Sequence, residues 1–304
     1  MMGKLYLAAA AATVLGASGA GAVTFVHTGA AQGYTAGLAG LYRVVATGAQ
    51  GGASVPPLTS SLPTLAGGAG ITMGATVALG AGSQLSIIVG GHGLGSTRSP
   101  INDTNYPWPT AGGGGGGTFV LGSGDAPVVV AGGGGGRGTD ASIPASAAVP
   151  GQAGANGGPT GAIAGGSNGS GGASRPGPDV IFSYIYGAGG AGLLQRGQNA
   201  LGVELGTGVL RGGANGGESL AGSFYGTSFS GGTGNLFGNN GGYGGGGGGG
   251  RDSGGGGGGY SGGGGAGSSF GSGGGGGSFT MAGATDVTSA LSADLDGSVS
   301  IDAL

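Results

Sequence analysis

Residues 241–277 decide how this chain folds, and they read GGYGGGGGGGRDSGGGGGGYSGGGGAGSSFGSGGGGG. Shorter glycine runs lie at 112–117 and 132–136, and 92 of the 304 residues are glycine, several times the usual share. A flexible coil is one interpretation, because ordering each residue costs about 1–2 kcal/mol of backbone entropy. However, the runs are similar in length and are separated by aromatic residues, which a random linker has no reason to be.

An ordered alternative exists for such runs. Extended glycine chains form polyproline-II-like helices with three residues per turn, and without Cβ atoms these helices can pack side by side. Each lateral N–H···O bond contributes about 1 kcal/mol net, which offsets the entropy only where nearly every chain is surrounded. We therefore predict a polyglycine-II (polyproline-II-like) helix bundle over 112–117, 132–136 and about 139–277. Collagen is excluded, because the chain lacks a strict Gly-X-Y period and has only 12 prolines.

The segments outside the glycine runs predict short β-strands. They are rich in apolar and β-branched residues and are bounded by glycine turns. The predicted strands are 41–46, 71–79, 85–89, 118–121, 128–130 and 298–301, and 180–186 is a further apolar stretch. Their short spacing is typical of an all-β fold, a β-sandwich. We expect its strands mainly in 24–130 and 298–301, interleaved with the glycine bundle in a single domain over 23–304.

The N-terminus has the pattern of a secretory signal peptide. Lys4 supplies a positive charge, residues 5–15 are apolar, and Ala20-Gly21-Ala22 fits a small-residue cleavage site. We expect a signal peptide over 1–22, cleavage after Ala22, and a secreted, extracellular or cell-surface product. A buried N-terminal helix is the alternative. No later stretch is long and apolar enough to predict an integral membrane segment in the mature chain.

The charge distribution excludes several classes of partner and site. Only 6 % of the residues are charged, the net charge is −3, and the arginines are scattered singly. Without a basic stripe, nucleic-acid binding is not predicted. Without cysteine, disulfides and thiolate metal sites are absent.

Three segments together resemble the glycine-rich domain of the anaplastic lymphoma kinase and leukocyte tyrosine kinase receptors and its bacterial secreted relatives. The segments are 40–52 (GLYRVVATGAQGG), the hairpin 67–93 that ends in IIVGG, and 112–136 with GGGGGGTFV and PVVVAGGGGG. The resemblance implies a β-sandwich interleaved with polyglycine-II helices, and engagement of extracellular protein ligands. Thr47 stands where the family commonly has Trp. Neither kinase activity nor any binding residue is carried over.

The motifs for catalysis and metal binding are weak. A G-x-S-x-G pattern occurs at Ser167, Ser261 and Ser269, but a hydrolase needs a strand-to-helix elbow and a downstream His. Both histidines, His27 and His92, lie upstream. We therefore expect no enzyme, no catalytic residue and no cofactor.

Two metal alternatives stay open at this point. His92 could bind a metal with His27 as its only His companion, although a plain loop histidine is the favoured interpretation. The acidic tail at 286, 294, 296 and 302 could bind Ca²⁺, with a solvated acidic turn before a strand favoured.

Residues 98–110 form the most complex loop and hold the only Trp. Exposed aromatic side chains on a rigid scaffold are good anchors, so Arg98, Tyr106 and Trp108 are candidate partner-binding residues. The favoured alternative is a turn made rigid by proline, with Trp108 packed onto the sandwich. The predicted function is a secreted non-catalytic binding or adhesion module for an extracellular protein or glycan ligand. Alternatives are a surface-coat or matrix protein that associates with itself through glycine helices, and binding of ice or polysaccharide.

Overall fold

The structure is a computed structural model in which eleven strands can be described. It describes residues 13–15, 21–54, 64–95, 110–139, 148–161, 163–175, 186–200, 216–219, 229–234, 239–268 and 270–304. The strands are β1 (Thr13–Leu15), β2 (Val23–Val26), β3 (Gln32–Thr35), β4 (Gly40–Thr47), β5 (Ile71–Leu79), β6 (Gln84–Ile88), β7 (Thr118–Leu121), β8 (Pro127–Ala131), β9 (Phe279–Thr280), β10 (Thr285–Leu291) and β11 (Ser298–Ala303). Within these ranges the helical content is one 3-10 turn, Ser123–Asp125. No helix there has the length and apolar character that a membrane span requires.

The strands form two sheets, which confirms the predicted all-β sandwich. The first sheet has the order β1-β3-β6-β7-β8-β9 and the second has the order β10-β5-β4-β11-β2. All pairs are antiparallel except β1 with β3. The closing strand β11 lies between β2 and β4, so the C-terminal segment completes the sheet that the N-terminal half begins.

The core lies between the two sheets and follows from the alternation of side chains along each strand. On β4, Tyr42, Val44 and Ala46 are buried and lie opposite Val77, Ala75 and Met73 of β5. The facing sheet contributes Ile87, Val120 and Val129 to the same cluster. These inward residues are the ones that the apolar pattern of the sequence marks.

The other face of the first sheet is covered by the glycine-rich region. Ile88, Phe119, Leu121 and Val130 point away from the sandwich core and pack in a second cluster with Leu193 and Phe229. Tyr243, Tyr260 and Phe279 pack against this cluster, and the rings of Phe119 and Phe229 lie 4.4 Å apart. The aromatic residues that separate the glycine runs thus attach the runs to the sheet.

The six predicted strands are all present, with ends shifted by a few residues. The apolar stretch 180–186 lies outside the described residues except for Tyr186, which is buried. Strands β1, β2, β3, β9 and β10 were not predicted. β1 falls within the predicted signal peptide and pairs with β3. Asp286, predicted to lie in a solvated acidic turn, lies instead within β10, because this exposed strand has no apolar pattern that would predict it.

The glycine run 254–259 donates backbone hydrogen bonds to three neighbours in rotation. Every third residue donates to the same neighbouring segment, and the acceptors on that segment are also three residues apart. The pairs are Gly254 to Gly271 and Gly257 to Gly274, Gly255 to Gly112 and Gly258 to Gly115, and Gly256 to Ala188 and Gly259 to Ala191. Run 112–117 repeats this three-residue period with segments 134–137, 91–94 and 244–247.

The carbonyl groups of the same run accept from further segments. Carbonyls within 254–258 accept N–H groups from 263–266, from 133–136 and from Gly247. Run 254–259 therefore has six different backbone neighbours, and all of its residues are buried. A Cβ built on any of these six glycines would lie under 3.0 Å from a neighbouring backbone atom, a separation that real Cβ atoms essentially never show. The packing thus requires glycine at each position.

This packing predicts a large effect of a single methyl group in the run. Gly257→Ala should lower the free energy of unfolding by at least about 2 kcal/mol, because its Cβ would overlap the carbonyl of Gly133. Gly154→Ala is the matched control, since a Cβ on this exposed glycine meets nothing within 4 Å. Thermal melts followed by circular dichroism measure the difference. Equal melting temperatures for the two variants would contradict the packing.

Candidate functional site

We use the name glycine bundle for the buried, mutually packed glycine runs 112–117, 132–136, 244–250, 254–259, 262–265 and 273–277. It has two ends, which the connected strands define. Segment 48–52 leaves the sandwich after β4, run 132–136 leaves it after β8, and run 112–117 enters it at β7. We call the end next to the strands proximal and the opposite end distal. Arg137 lies at the distal end, where its carbonyl accepts from Gly112 (2.8 Å) and its N–H donates to Gly52 (3.0 Å).

Four gaps between the described ranges have their flanking residues at the distal end. Their described flanking residues are tied to distal backbone atoms, as the Ser54–Leu65 bridge and the bond from Ala111 N–H to Arg251 carbonyl illustrate. The flanking pairs at this end are Ser54 and Thr64, Gly95 and Thr110, Thr139 and Ala148, and Arg175 and Tyr186. The distal end therefore holds the residues that flank four gaps between the described ranges.

The candidate residues Arg98, Tyr106 and Trp108 lie outside the described residues. The two described residues that flank their segment, Gly95 and Thr110, both lie at the distal end. Whether these three side chains bind a partner therefore stays a prediction, but the place at which their loop joins the scaffold is defined.

Four charged residues collect at the distal end. Arg137 follows run 132–136, Arg251 and Asp252 follow run 244–250, and Arg175 donates to the carbonyl of Gly267 (3.3 Å). The guanidinium of Arg175 also lies 4.7 Å from the centre of the Tyr186 ring, in cation–π geometry. Among the described residues, the distal end thus holds three arginines and one aspartate.

Asp252 is the most strongly perturbed of these groups. Its residue is only 2 % exposed, and its Oδ2 lies 3.4 Å from Nε of Arg251. Burial raises the pKa of Asp252 to about 6, although the charge of Arg251 acts in the opposite direction. Burial also lowers the pKa of Arg137. The carboxyl of Asp252 therefore changes charge in a mildly acidic range, within a cluster otherwise made of arginines.

Sequence reasoning did not identify Asp252, Arg137 or Arg251 as members of one site. The available signal was that an arginine directly follows each of two glycine runs, at 137 and at 251. Because both runs extend away from the sandwich, such residues mark the distal boundary of the bundle.

A second polar cluster joins two loops on the sandwich. Asp296 accepts from the backbone N–H of His92 (2.9 Å) and from its Nδ1 (2.6 Å). The Nδ1 of His27 bonds the carbonyl of Val89 (3.0 Å). Burial acts to raise the pKa of Asp296, but the hydrogen bonds from His92 and the charges of both histidines together hold it below its usual value. His92 and His27 thus lie in one region, as loop-fixing residues.

The described residues give no support for a metal or hydrolase site. No group of three or more His, Asp or Glu side chains that could hold a metal occurs among them. The carboxyl of Asp294 bonds Ser292 instead (3.3 Å). Ser261 is buried, and its hydroxyl accepts from Gly169 N–H (3.1 Å). Ser167 is exposed but has no histidine beside it among its hydrogen-bond partners, and Ser269 lies outside the described residues.

No protein-family model matches this chain, and no curated protein sequence matches it.

The raised pKa of Asp252 predicts a pH-dependent stability. Between its ordinary value of 3.8 and about 6, the folded state binds the proton more tightly, so stability falls as pH rises through this window. The loss amounts to about 3 kcal/mol at neutral pH. Asp252→Asn should abolish this part of the decline, whereas the exposed control Asp125→Asn should retain it. Urea unfolding across this pH range measures both, and parallel curves for wild type and Asp252→Asn would refute the prediction.

Proposed function

We propose that the chain is a secreted, non-catalytic binding or adhesion module whose glycine runs form a polyglycine-II helix bundle. The observation that carries this proposal is the three-residue period of lateral hydrogen bonds around run 254–259. Three residues per turn is the period of a polyproline-II-type helix, and six backbone neighbours satisfy its polar groups on all sides. The bundle would act as a rigid support for an extracellular protein or glycan ligand at its distal end.

The burial of the runs favours this function over self-association through glycine helices. The glycines of 112–117, 244–250, 254–259 and 273–277 are buried within the chain itself, so their lateral hydrogen-bonding positions are already used. A coat protein that polymerises through these runs, or a flat glycine lattice that binds ice, would need such positions at the surface. Both remain alternatives with less support.

Export is compatible with the strand arrangement. The predicted cleavage after Ala22 falls directly before β2, which begins at Val23. Cleavage would remove β1, which lies at the edge of the first sheet, and would leave Phe25 in the core. The resemblance to the receptor glycine-rich domains adds the expectation of an extracellular partner.

Hydrogen exchange tests the scaffold. The amides of Gly254–Gly259 should exchange slowly in residues 23–304, because each donates to a buried carbonyl. The amide of exposed Gly154 serves as the internal reference and should exchange fast. Equal rates for the run and for Gly154 would mean that no rigid support exists, and the proposed function would fail with it.

Polysaccharides are the first ligands to test, because the candidate residues Arg98 and Trp108 belong to a segment whose flanking residues, Gly95 and Thr110, lie at the distal end. On immobilised heparin and on a panel of uronic-acid and neutral polysaccharides, we expect Arg98→Ala and Trp108→Ala to weaken binding by about 10-fold or more. Arg196→Ala is the matched control: this arginine is exposed, and its neighbours in the loop 192–195 pack at the proximal end. No binding to any of these polysaccharides, or equal losses in the control, would contradict glycan recognition at the distal end.

A further inference from the structure

The strand β10 forms an open edge of the second sheet. It pairs with β5 on one side, and all seven residues of Thr285–Leu291 are exposed. Among the described residues, no backbone hydrogen bond joins its other side to another segment. A row of available N–H and C=O groups on such an edge is a template for a further strand.

The inner face of β10 is apolar and uncovered. Ser289 lies opposite Met73, and Leu291 lies opposite Ile71, so these residues point to the same side as the sandwich core. Val287 directly precedes the regular part of the strand, next to the bulge between Thr285 and Thr288, and we infer that it lies on the same side as Ser289. Val287 is nevertheless 50 % exposed and Leu291 is 63 % exposed, and no segment among the described residues covers this part of the sheet.

A side chain from β4 holds the edge strand in place. Arg43 of β4 crosses β5 at Gly74, and its guanidinium donates to Asp286 carbonyl (2.6 Å) and to Thr288 hydroxyl (2.8 Å). A Cβ on Gly74 would lie under 3.0 Å from that guanidinium, so glycine provides the passage. The one irregularity of β10 is a bulge between Thr285 and Thr288, at its N-terminal end, whereas residues 288–291 pair with β5 in regular register and contain no Lys, Pro or bulge. The regular part of the strand, Thr288–Leu291, therefore leaves its outer edge open to a partner strand.

We infer that β10 pairs with β10 of a second copy of this chain, antiparallel about a two-fold axis near Ser289. In this register Val287 of each copy lies opposite Leu291 of the other, which joins the two uncovered apolar faces. The two five-stranded sheets become one continuous ten-stranded sheet. An isologous contact of this kind closes on itself, so it produces a dimer.

The charges of the strand favour this partner and this direction. Asp286 is the only charged residue of β10. In the two-fold antiparallel arrangement the two Asp286 side chains lie about 20 Å apart along the strands, beyond the screening length of about 8 Å at physiological salt. A parallel arrangement in register would place them side by side. The rest of the strand is hydroxyl and apolar, so a second copy meets no unpaired charge.

Sedimentation equilibrium of residues 23–304 tests this inference, which goes beyond the proposed function and does not depend on it. We expect a monomer–dimer equilibrium with a dissociation constant of up to about 200 µM. The affinity should be weak, because a single strand pair makes a small interface. Val287→Lys with Leu291→Lys should raise the dissociation constant at least about 10-fold, since it places charges on the apolar face. Both side chains are exposed, so the melting temperature should not change.

The opposite edge of the same sheet supplies the control. Val26 of β2 is 61 % exposed, and Val26→Lys should leave the dimer intact. A wild-type chain that stays monomeric at protein concentrations up to about 200 µM would overturn the inference. So would a dimer that persists in the β10 double variant, or one that Val26→Lys weakens equally.

Discussion

The lateral hydrogen bond between two glycine backbones is the interaction on which the rest of this structure depends. It requires extended chains to approach so closely that a Cβ on one would overlap a backbone carbonyl of a neighbour, as a Cβ on Gly257 would overlap the carbonyl of Gly133. In exchange, a segment without side chains satisfies its polar groups while fully buried. Each bond is weak in net terms, so the arrangement holds only for a run with neighbours on every side. This explains why the runs occur together and not singly.

The bundle also determines the character of the sandwich beside it. Strands β4, β7 and β8 connect directly to glycine segments, so sheet and bundle share continuous chains. β7 and β8 are buried on both faces, since the bundle covers Phe119, Leu121 and Val130 while the second sheet covers Val120 and Val129. Their sequences are accordingly apolar without alternation, as is usual for strands covered on both sides.

The sequence predicts strands whose apolar side chains form a local pattern. It misses exposed strands and contacts between residues that are far apart in the chain. Strands such as β4 and β7 were predicted because burial gives them a run or an alternation of apolar residues. β10 was missed because it is exposed on both faces, and TDVTSAL has no such pattern. The contact between His92 and Asp296, and that between run 254–259 and run 112–117, join residues far apart in the chain. Identical glycines carry no information about which neighbour they choose, so the distal grouping of Arg137, Arg251 and Asp252 emerged only from the packing.

The two proposed interaction surfaces lie at different places, one at the distal end and one on a strand edge. If the runs have the proposed polyproline-II form, six residues span about 19 Å, which would place the distal end well away from the strand edges. β10 begins at Thr285 on the sandwich and ends at Leu291 beside the start of β5, so a partner strand there would leave the distal loops uncovered. If two copies join through β10, each contributes one distal end to the pair. Weak recognition at each end would then be strengthened by the simultaneous use of both, provided that the ligand spans them.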